Sequence, residues 1–259
     1  MSFKEWLLSS YPNPDIDGQW KPLHIIVLIS AIAIIIAIPF IVKLFENKER
    51  ARKIISWILV GAILTFEISR RIINLYKMPD RTLDEYLYHL LPRPWCAISC
   101  WSLIIARIFN KKFLYNFASI TSLLCALIFF AYPGAGFNNQ YVLYENLYSI
   151  GTHTLLLITS ISLITLRLTD FRYNEFWKIA ICYAIVYGYA FFEMHVLKIS
   201  DDPLYFMPGN DVQEILSLDY PLFLVIYILF VIVYTNIFHI INDWKNVKTM
   251  LPKSKLAQQ

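Results

Sequence analysis

The chain has 259 residues, of which 58% are hydrophobic and 16% are charged, and its mean hydropathy is +0.51. This composition excludes a soluble domain and is typical of a polytopic membrane protein. The formal net charge of +4 comes from basic residues in short loops, so we interpret it as a topology signal and predict no nucleic-acid partner.

The predicted fold class is all-α, a seven-transmembrane-helix bundle that forms a single membrane domain over residues 1–259. Most of the apolar runs have the ~20 residues that a hydrocarbon core requires. In chain order the predicted spans cover residues 23–44, 54–74, 94–109, 113–132, 147–168, 177–197 and 221–241. The third span is short, and Pro94 opens it at a position where a missing N–H is harmless.

Lysine and arginine residues alternate between the two sides of this predicted bundle. They cluster after the first, third and fifth spans and in the C-terminal tail, which holds Lys245, Lys248, Lys253 and Lys255. Segment 133–146 has none, and segment 198–220 has only Lys198 among several acidic residues. The positive-inside rule then predicts an outside N-terminus, an inside C-terminus and a multi-pass protein of the cell membrane. The outer segments 75–93 and 198–220 are candidate lids.

An ionisable cluster interrupts the second span. Arg70 and Arg71 follow Glu67 at i+3 and i+4, on one face of the helix. An ionisable group at membrane depth costs roughly 2.5–3.5 kcal/mol on insertion scales, and it usually faces the bundle interior. Two interpretations stay open, a functional site around Glu67 and a structural ion pair that holds helices together.

Further polar residues are predicted at the same depth as this cluster, within an outer slab of roughly 10 Å. They come from the beginnings of the third and fifth spans and the end of the sixth, and they are Cys96, Ser99, Cys100, His153, Tyr189, Glu193 and His195. A polar pocket open to the outer face would unite them. A position at a helix start favours the thiolate of Cys96 through the helix dipole, although a buried cysteine is often an inert small hydrophobe.

A metal site is the next alternative, since Glu67, His153, Glu193 and His195 are residue types that bind zinc. The spans contain no His-x-x-x-His pair, and the cysteines form no Cys-x-x-Cys pattern. We predict no metal and no cofactor.

Four short motifs lie near the ends of the predicted spans. They are Trp20-Lys-Pro-Leu-His24, Phe66-Glu67, Leu91-Pro-Arg-Pro-Trp-Cys96 and Thr152-His153-Thr-Leu-Leu-Leu157, and a loop with Asp201-Asp-Pro-Leu-Tyr-Phe-Met207 precedes the last span. Their order and spacing, over nearly the whole chain, resemble the YwaF-like integral membrane family, bacterial relatives of the animal transmembrane protein 164.

This resemblance implies a seven-span fold and a lipid acyltransferase that uses a membrane cysteine. By that resemblance, Cys96 would be the acyl-accepting nucleophile, His153 its base, and Glu67 a member of the same cluster that orients the arginines or His153. A phospholipid substrate would lie between the spans. Its predicted binding residues are Arg70, Arg71 and Arg93 for the phosphate, with Tyr189, Glu193 and His195.

Two other classes of function fit the same residues. A substrate-binding or transport membrane subunit could capture a small solute in an aromatic-rich outer pocket. The absence of an internal repeat and of a broken pair of spans argues against independent transport, but not against a subunit that works with a membrane partner. The third class is a non-catalytic membrane assembly factor. The distance between the Cys96 sulfur and the His153 ring would discriminate between these classes.

Overall fold

The computed structural model describes residues 1–77, 82–132, 136–199, 202 and 204–244. Asp201 and Pro203 of the loop motif and the basic residues of the tail lie outside the described residues. The helices, in chain order, are α1 (Phe3–Leu7), α2 (Pro22–Lys43), α3 (Lys48–Tyr76), α4 (Leu83–Leu90), α5 (Trp95–Phe109), α6 (Lys112–Ala131), α7 (Tyr144–Thr165), α8 (Phe176–Phe192), α9 (Asp211–Leu216) and α10 (Tyr220–Asn242). Within this part of the chain the all-α prediction is confirmed.

Five helical segments of the described chain are long and apolar enough to cross a membrane. They are α2, α6, α7, α10 and the continuous stretch Tyr173–Leu197, which contains α8. The helix α3 has 29 residues but carries Glu67, Arg70 and Arg71 in its C-terminal half. The helix α5 has only 15 residues, about 22 Å at 1.5 Å per residue. The prediction of a membrane protein with several apolar helices is confirmed, and the count of seven crossings stays a prediction.

Local sequence signals set several helix ends. Pro22 occupies the first position of α2, where its missing N–H costs nothing. The side chain of Asn47 accepts from the N–H of Arg50 at the start of α3, and Thr82 begins α4 with a capping box. Asn110 ends α5 in the left-handed conformation.

The centre of the bundle is formed by α3, α5, α6 and α7. The helix α6 packs between α5 and α7, and α3 contacts both α5 and α7, while α2 lies on α7 and α8 on α6. Fully buried apolar side chains fill the centre, among them Ile63, Leu103, Ile120, Leu156 and Leu163. The helices α2 and α10 leave most of their isoleucine, leucine and phenylalanine side chains exposed, as expected of helices that face acyl chains.

Successive long helices run in opposite directions, which gives the bundle two distinct ends. We call the end at which α5, α7 and α10 begin the upper end, and the end at which they finish the lower end. Glu67, Cys96 and His153 lie towards the upper end, because α3 finishes there while α5 and α7 begin there.

The N-terminal segment covers part of the upper end, a cover that the sequence analysis did not predict. Its backbone pairs with the loop between α6 and α7, with Ile16 N–H donating to Asn138 O at 2.8 Å and Gln140 N–H to Pro14 O at 3.0 Å. Gly18 fits against this loop because a Cβ there would lie 1.7 Å from the carbonyl oxygen of Phe137.

Part of one predicted lid also lies at the upper end. Leu204 is fully buried, and its carbonyl oxygen accepts from Trp95 Nε1 at 3.2 Å and from the Tyr227 hydroxyl at 3.1 Å. The Asp202 carboxylate turns this loop by accepting from the N–H groups of Met207 at 2.7 Å and Leu204 at 3.3 Å. The loop therefore packs on the first residue of α5, directly before Cys96.

Candidate functional site

Glu67 is fully buried, and both of its carboxylate oxygens have donors. The Tyr148 hydroxyl on α7 donates to Oε1 at 2.6 Å, and Arg71 Nη1 donates to Oε2. Arg70 Nη1 donates to the same Tyr148 hydroxyl at 3.1 Å. A buried charge is tolerated when it is paired and hydrogen-bonded, so this network explains how an acidic residue persists within α3.

A close approach of α3 and α7 makes this network geometrically feasible. Gly151 lies against the ring of Phe66, and a Cβ at Gly151 would come within 2.6 Å of that ring. One turn higher, the Tyr144 hydroxyl donates to Ser69 Oγ at 2.8 Å. The glycine lets the helices approach closely enough for hydroxyl groups of α7 to reach α3.

Arg71 extends the network towards α4 and α5. Its Nε donates to the carbonyl oxygen of Leu90, at the end of α4, at 2.8 Å. Its guanidinium also lies 5.3 Å from the ring centroid of Trp101 on α5. Arg71 thus serves the bracing role that the structural interpretation predicted, whereas Arg70 lies half-buried and donates to Tyr148.

Cys96 occupies the second position of α5 and is partly exposed. The N–H groups of a first helical turn have no partner within the helix, and those of Cys96 and Ala97 can donate to the Cys96 sulfur. The positive charge of Arg70 attracts a thiolate at this position, whereas the negative charge of Glu67 repels it. Cys96 therefore belongs to the same polar region as the Glu67 network, with a helix N-terminus beside its sulfur.

The ring of His153 is held by two contacts. Its Nδ1 lies 2.8 Å from the carbonyl oxygen of Ser149, and its face stacks on Phe129 with ring centroids 3.9 Å apart. A carbonyl oxygen can only accept, so Nδ1 carries the proton and Nε2 is the basic nitrogen. No hydrogen bond joins His153 to Cys96 among the described residues.

Arg93, Tyr189 and Glu193 form a second polar group at the upper end. The Tyr189 hydroxyl donates to Glu193 Oε1 at 2.6 Å, while Oε2 of this fully buried carboxylate has no protein partner within the described chain. Arg93 Nη1 donates to Ile199 O at 2.8 Å, and its charge acts on Glu193 and Tyr189.

His195 points away from that group. It lies in the π-helical turn Glu193–Leu197, where Glu193 is buried and His195 is exposed and packs on the ring of Phe191 at 4.2 Å. The predicted substrate-binding set is therefore split, with Glu193 directed into the bundle and His195 towards its surface.

The sequence analysis missed Tyr144, Tyr148 and Phe129. The two tyrosines are four residues apart at the start of α7, on one helix face, and that spacing is the signal that could have identified them. Phe129 carries no such signal, because its contact with His153 depends on how α6 packs on α7. Over the described ranges, no group of three or more His, Cys, Asp or Glu residues could hold a metal ion.

Comparison with known proteins gives one match, to a family model. No curated protein and no solved structure matches this chain. A model of the TMEM164 family matches residues 19–239, a range that contains every candidate site residue. This match confirms the predicted relation to the animal transmembrane protein 164, whereas the bacterial YwaF-like label stays a prediction. The chain belongs to the TMEM164 family.

Proposed function

We propose that the protein is a membrane-embedded lipid acyltransferase in which Cys96 carries the acyl group. The main support is the environment of Cys96, which combines unpaired N–H groups of a helix N-terminus with the nearby positive charge of Arg70. An attacking thiolate needs a positive local field or a nearby base. The N–H groups could also donate to the oxyanion that forms when a carbonyl carbon is attacked.

The proposed reaction has two transfers. The Cys96 thiolate attacks the ester carbonyl of a phospholipid, a C–S bond forms, the ester C–O bond breaks, and the leaving oxygen takes a proton from protonated His153. A lipid hydroxyl then gives its proton to His153 and attacks the thioester, which forms a new ester and returns the thiolate. This scheme requires Nε2 of His153 to come within hydrogen-bond distance of the reacting groups.

The Glu67 network would position the substrate rather than react with it. Both Glu67 oxygens already accept hydrogen bonds, so the carboxylate is committed to Tyr148 and Arg71. Arg70 keeps guanidinium donors beyond the one that binds Tyr148, and these match a phosphate group. We assign the phosphate of the substrate to Arg70, with Arg93 as a second cation.

The proposed topology is a seven-span, multi-pass protein of the cell membrane with the upper end outside. The lower connections carry most of the lysine and arginine residues, as the positive-inside rule requires of the cytoplasmic side. In this orientation the partners are lipids of the outer leaflet, and the segment at Leu204 lies over the site as a lid.

A second candidate, a binding or transport subunit for a small solute with a membrane partner, has one observation in its favour. Buried hydroxyl groups that have no partner among the described residues lie near the middle of α6 and in the lower half of α7, at Ser119, Ser122, Thr159 and Ser162. A continuous polar path through both halves would favour transport, and water-accessibility labelling of cysteines introduced at Ser122 and Thr159 would detect it.

The test of the first candidate is capture of the acyl-enzyme. Purified full-length protein would be incubated with a phospholipid labelled in its acyl chain, and label that hydroxylamine releases would be measured. We expect labelling of the wild type and of Cys125→Ala, because Cys125 has the same partial exposure but lies in the middle of α6. Cys96→Ala should carry no label. Labelling of Cys96→Ala at the wild-type level would exclude the covalent mechanism.

A further inference from the structure

A buried arginine lies at the lower end of the bundle, and no acidic residue of the described chain pairs with it. Arg107, near the end of α5, is 7% exposed. Its Nη1 donates to the Tyr115 hydroxyl at 3.2 Å and its Nη2 to the Lys53 carbonyl oxygen at 3.4 Å. No carboxylate forms an ion pair with it in the described part of the chain. Buried guanidinium groups are normally paired with an anion.

A second arginine lies on the turn of α3 that Arg107 contacts. Arg52 directly precedes Lys53, whose carbonyl oxygen accepts from Arg107, and it lies one turn before the buried Ser56. The Nε atoms of Arg52 and Arg107 are both buried, and neither has a partner among the described residues. The nearest acid along the helix, Glu49, is exposed and binds Lys53 at 2.7 Å. In the part of the chain that the structure describes, no ion pair joins Arg52 or Arg107 to a carboxylate.

The neighbouring protein groups compensate these charges only in part. The ring of Trp57 lies 4.4 Å from the Arg107 guanidinium, and the last carbonyl groups of α5 carry a partial negative charge. Neither contributes a full negative charge or an acceptor for the two Nε–H groups. Trp57 is 49% exposed, so the edge of this group of residues is open to the surroundings of the bundle.

We propose that Arg52 and Arg107 bind a phosphate group at the lower end of the bundle. The planar fork of N–H donors on a guanidinium matches the oxygens of a phosphate. A basic position at helix ends beside a tryptophan is typical of sites for anionic lipid headgroups at a membrane interface. The site is separate from the proposed acyl-transfer site, because Arg107 lies eleven residues, roughly 16 Å along the helix, from Cys96.

The experiment measures lipid retention by the purified full-length protein. The protein would be delipidated in detergent and exposed to phosphatidylglycerol or to a diacylglycerol that lacks phosphate, and bound lipid would be counted by native mass spectrometry. We expect the wild type to retain phosphatidylglycerol but not the diacylglycerol. Arg52→Gln and Arg107→Gln should each weaken retention about tenfold. Arg50→Gln, which removes one exposed positive charge from the same turn of α3, should retain it fully.

Inorganic phosphate identifies the source of the phosphate group. If it displaces phosphatidylglycerol from the wild type at equal concentration, the site recognises free phosphate, and the proposal stands with that ligand. If Arg107→Gln does not fold, Arg52→Gln and Arg107→Lys are measured instead. Lysine keeps the positive charge but lacks the planar pair of N–H donors that binds a phosphate. Undiminished retention in these variants, or an equal loss in Arg50→Gln, would overturn the proposal and make the arginines packing residues.

Discussion

Tyr148 on α7 donates its hydroxyl to the buried carboxylate of Glu67 on α3 across 2.6 Å. The same hydroxyl accepts from Arg70 at 3.1 Å. The phenol of Tyr148 on α7 therefore bonds both an acidic and a basic residue of α3. Arg71 supplies the other carboxylate oxygen. The ionisable residues of α3 are therefore held by α7. Arg70 is fixed by one hydrogen bond, and its other guanidinium N–H groups can bind a substrate.

We predict that Tyr148→Phe destabilises the protein, because it leaves Glu67 Oε1 buried without its donor. Such a loss costs about 1–3 kcal/mol, and it should appear as a lower melting temperature in detergent. The matched control is Tyr144→Phe, which removes a hydroxyl bonded to the neutral Ser69 and should cost less, about 0.5–1.5 kcal/mol. Equal decreases in melting temperature for the two variants would show that the hydrogen bond to Glu67 stabilises the protein no more than the bond to Ser69 does.

We predict that Gly18→Ala releases the N-terminal segment from the upper end. The added Cβ would lie 1.7 Å from the Phe137 carbonyl oxygen, and only a backbone shift can relieve this contact. Chymotrypsin should then cut faster after Trp20, as followed by N-terminal sequencing of the products. Gly61→Ala is the control, since a Cβ there meets nothing within 4 Å and alanine favours a helix by roughly 0.5–1 kcal/mol. If cleavage is unchanged in Gly18→Ala, the docking of residues 13–18 does not protect Trp20.

The apolar runs predict the helices well, because burial in a membrane leaves a long and continuous signal in the sequence. The same signal cannot say which helices touch. The contact between Tyr148 and Glu67 depends on the approach of α3 and α7 at Gly151, and these helices are far apart in the chain. The docking of the N-terminal segment leaves no periodic pattern for the same reason.

The separation of His195 from Glu193 has a local cause. A shared depth in the membrane predicts one pocket for the two residues, but residues two apart on a helix point in nearly opposite directions. Glu193 is accordingly buried while His195 is exposed. Depth and direction must both agree before residues are grouped into a site.

We predict that the loop containing Asp202 becomes less stable as the pH rises. Burial raises the pKa of this carboxyl, and the N–H groups of Met207 and Leu204 oppose the shift only in part. The folded loop therefore binds a proton more readily than the unfolded chain does. Its stability is greatest below the ordinary value of 3.8 and falls as the pH rises through the raised folded-state pKa.

Asp202→Asn would remove this dependence. The melting temperature of the variant minus that of the wild type should therefore increase with pH between about 4 and 7. Asp17→Asn, which removes a carboxylate from an exposed position, corrects for the change in net charge. A difference that stays flat or decreases with pH would contradict the prediction.

The last prediction separates the two nitrogens of His153. Its Nδ1 donates to the Ser149 carbonyl oxygen at 2.8 Å, and the amide nitrogen of an asparagine can make the same bond, but asparagine has no equivalent of Nε2. We therefore expect His153→Asn to lose acyl transfer by roughly 10²–10⁴-fold, the usual contribution of a general base, and to lower the melting temperature only through the lost stack on Phe129.

Phe129→Leu provides the comparison for this variant, because it removes the ring stacked on His153 and leaves both nitrogens. Both variants lose the stack and should lower the melting temperature to a similar extent, but Phe129→Leu should reduce acyl transfer less. Acyl transfer by His153→Asn at the wild-type rate would exclude His153 as the base, since the variant has no basic nitrogen.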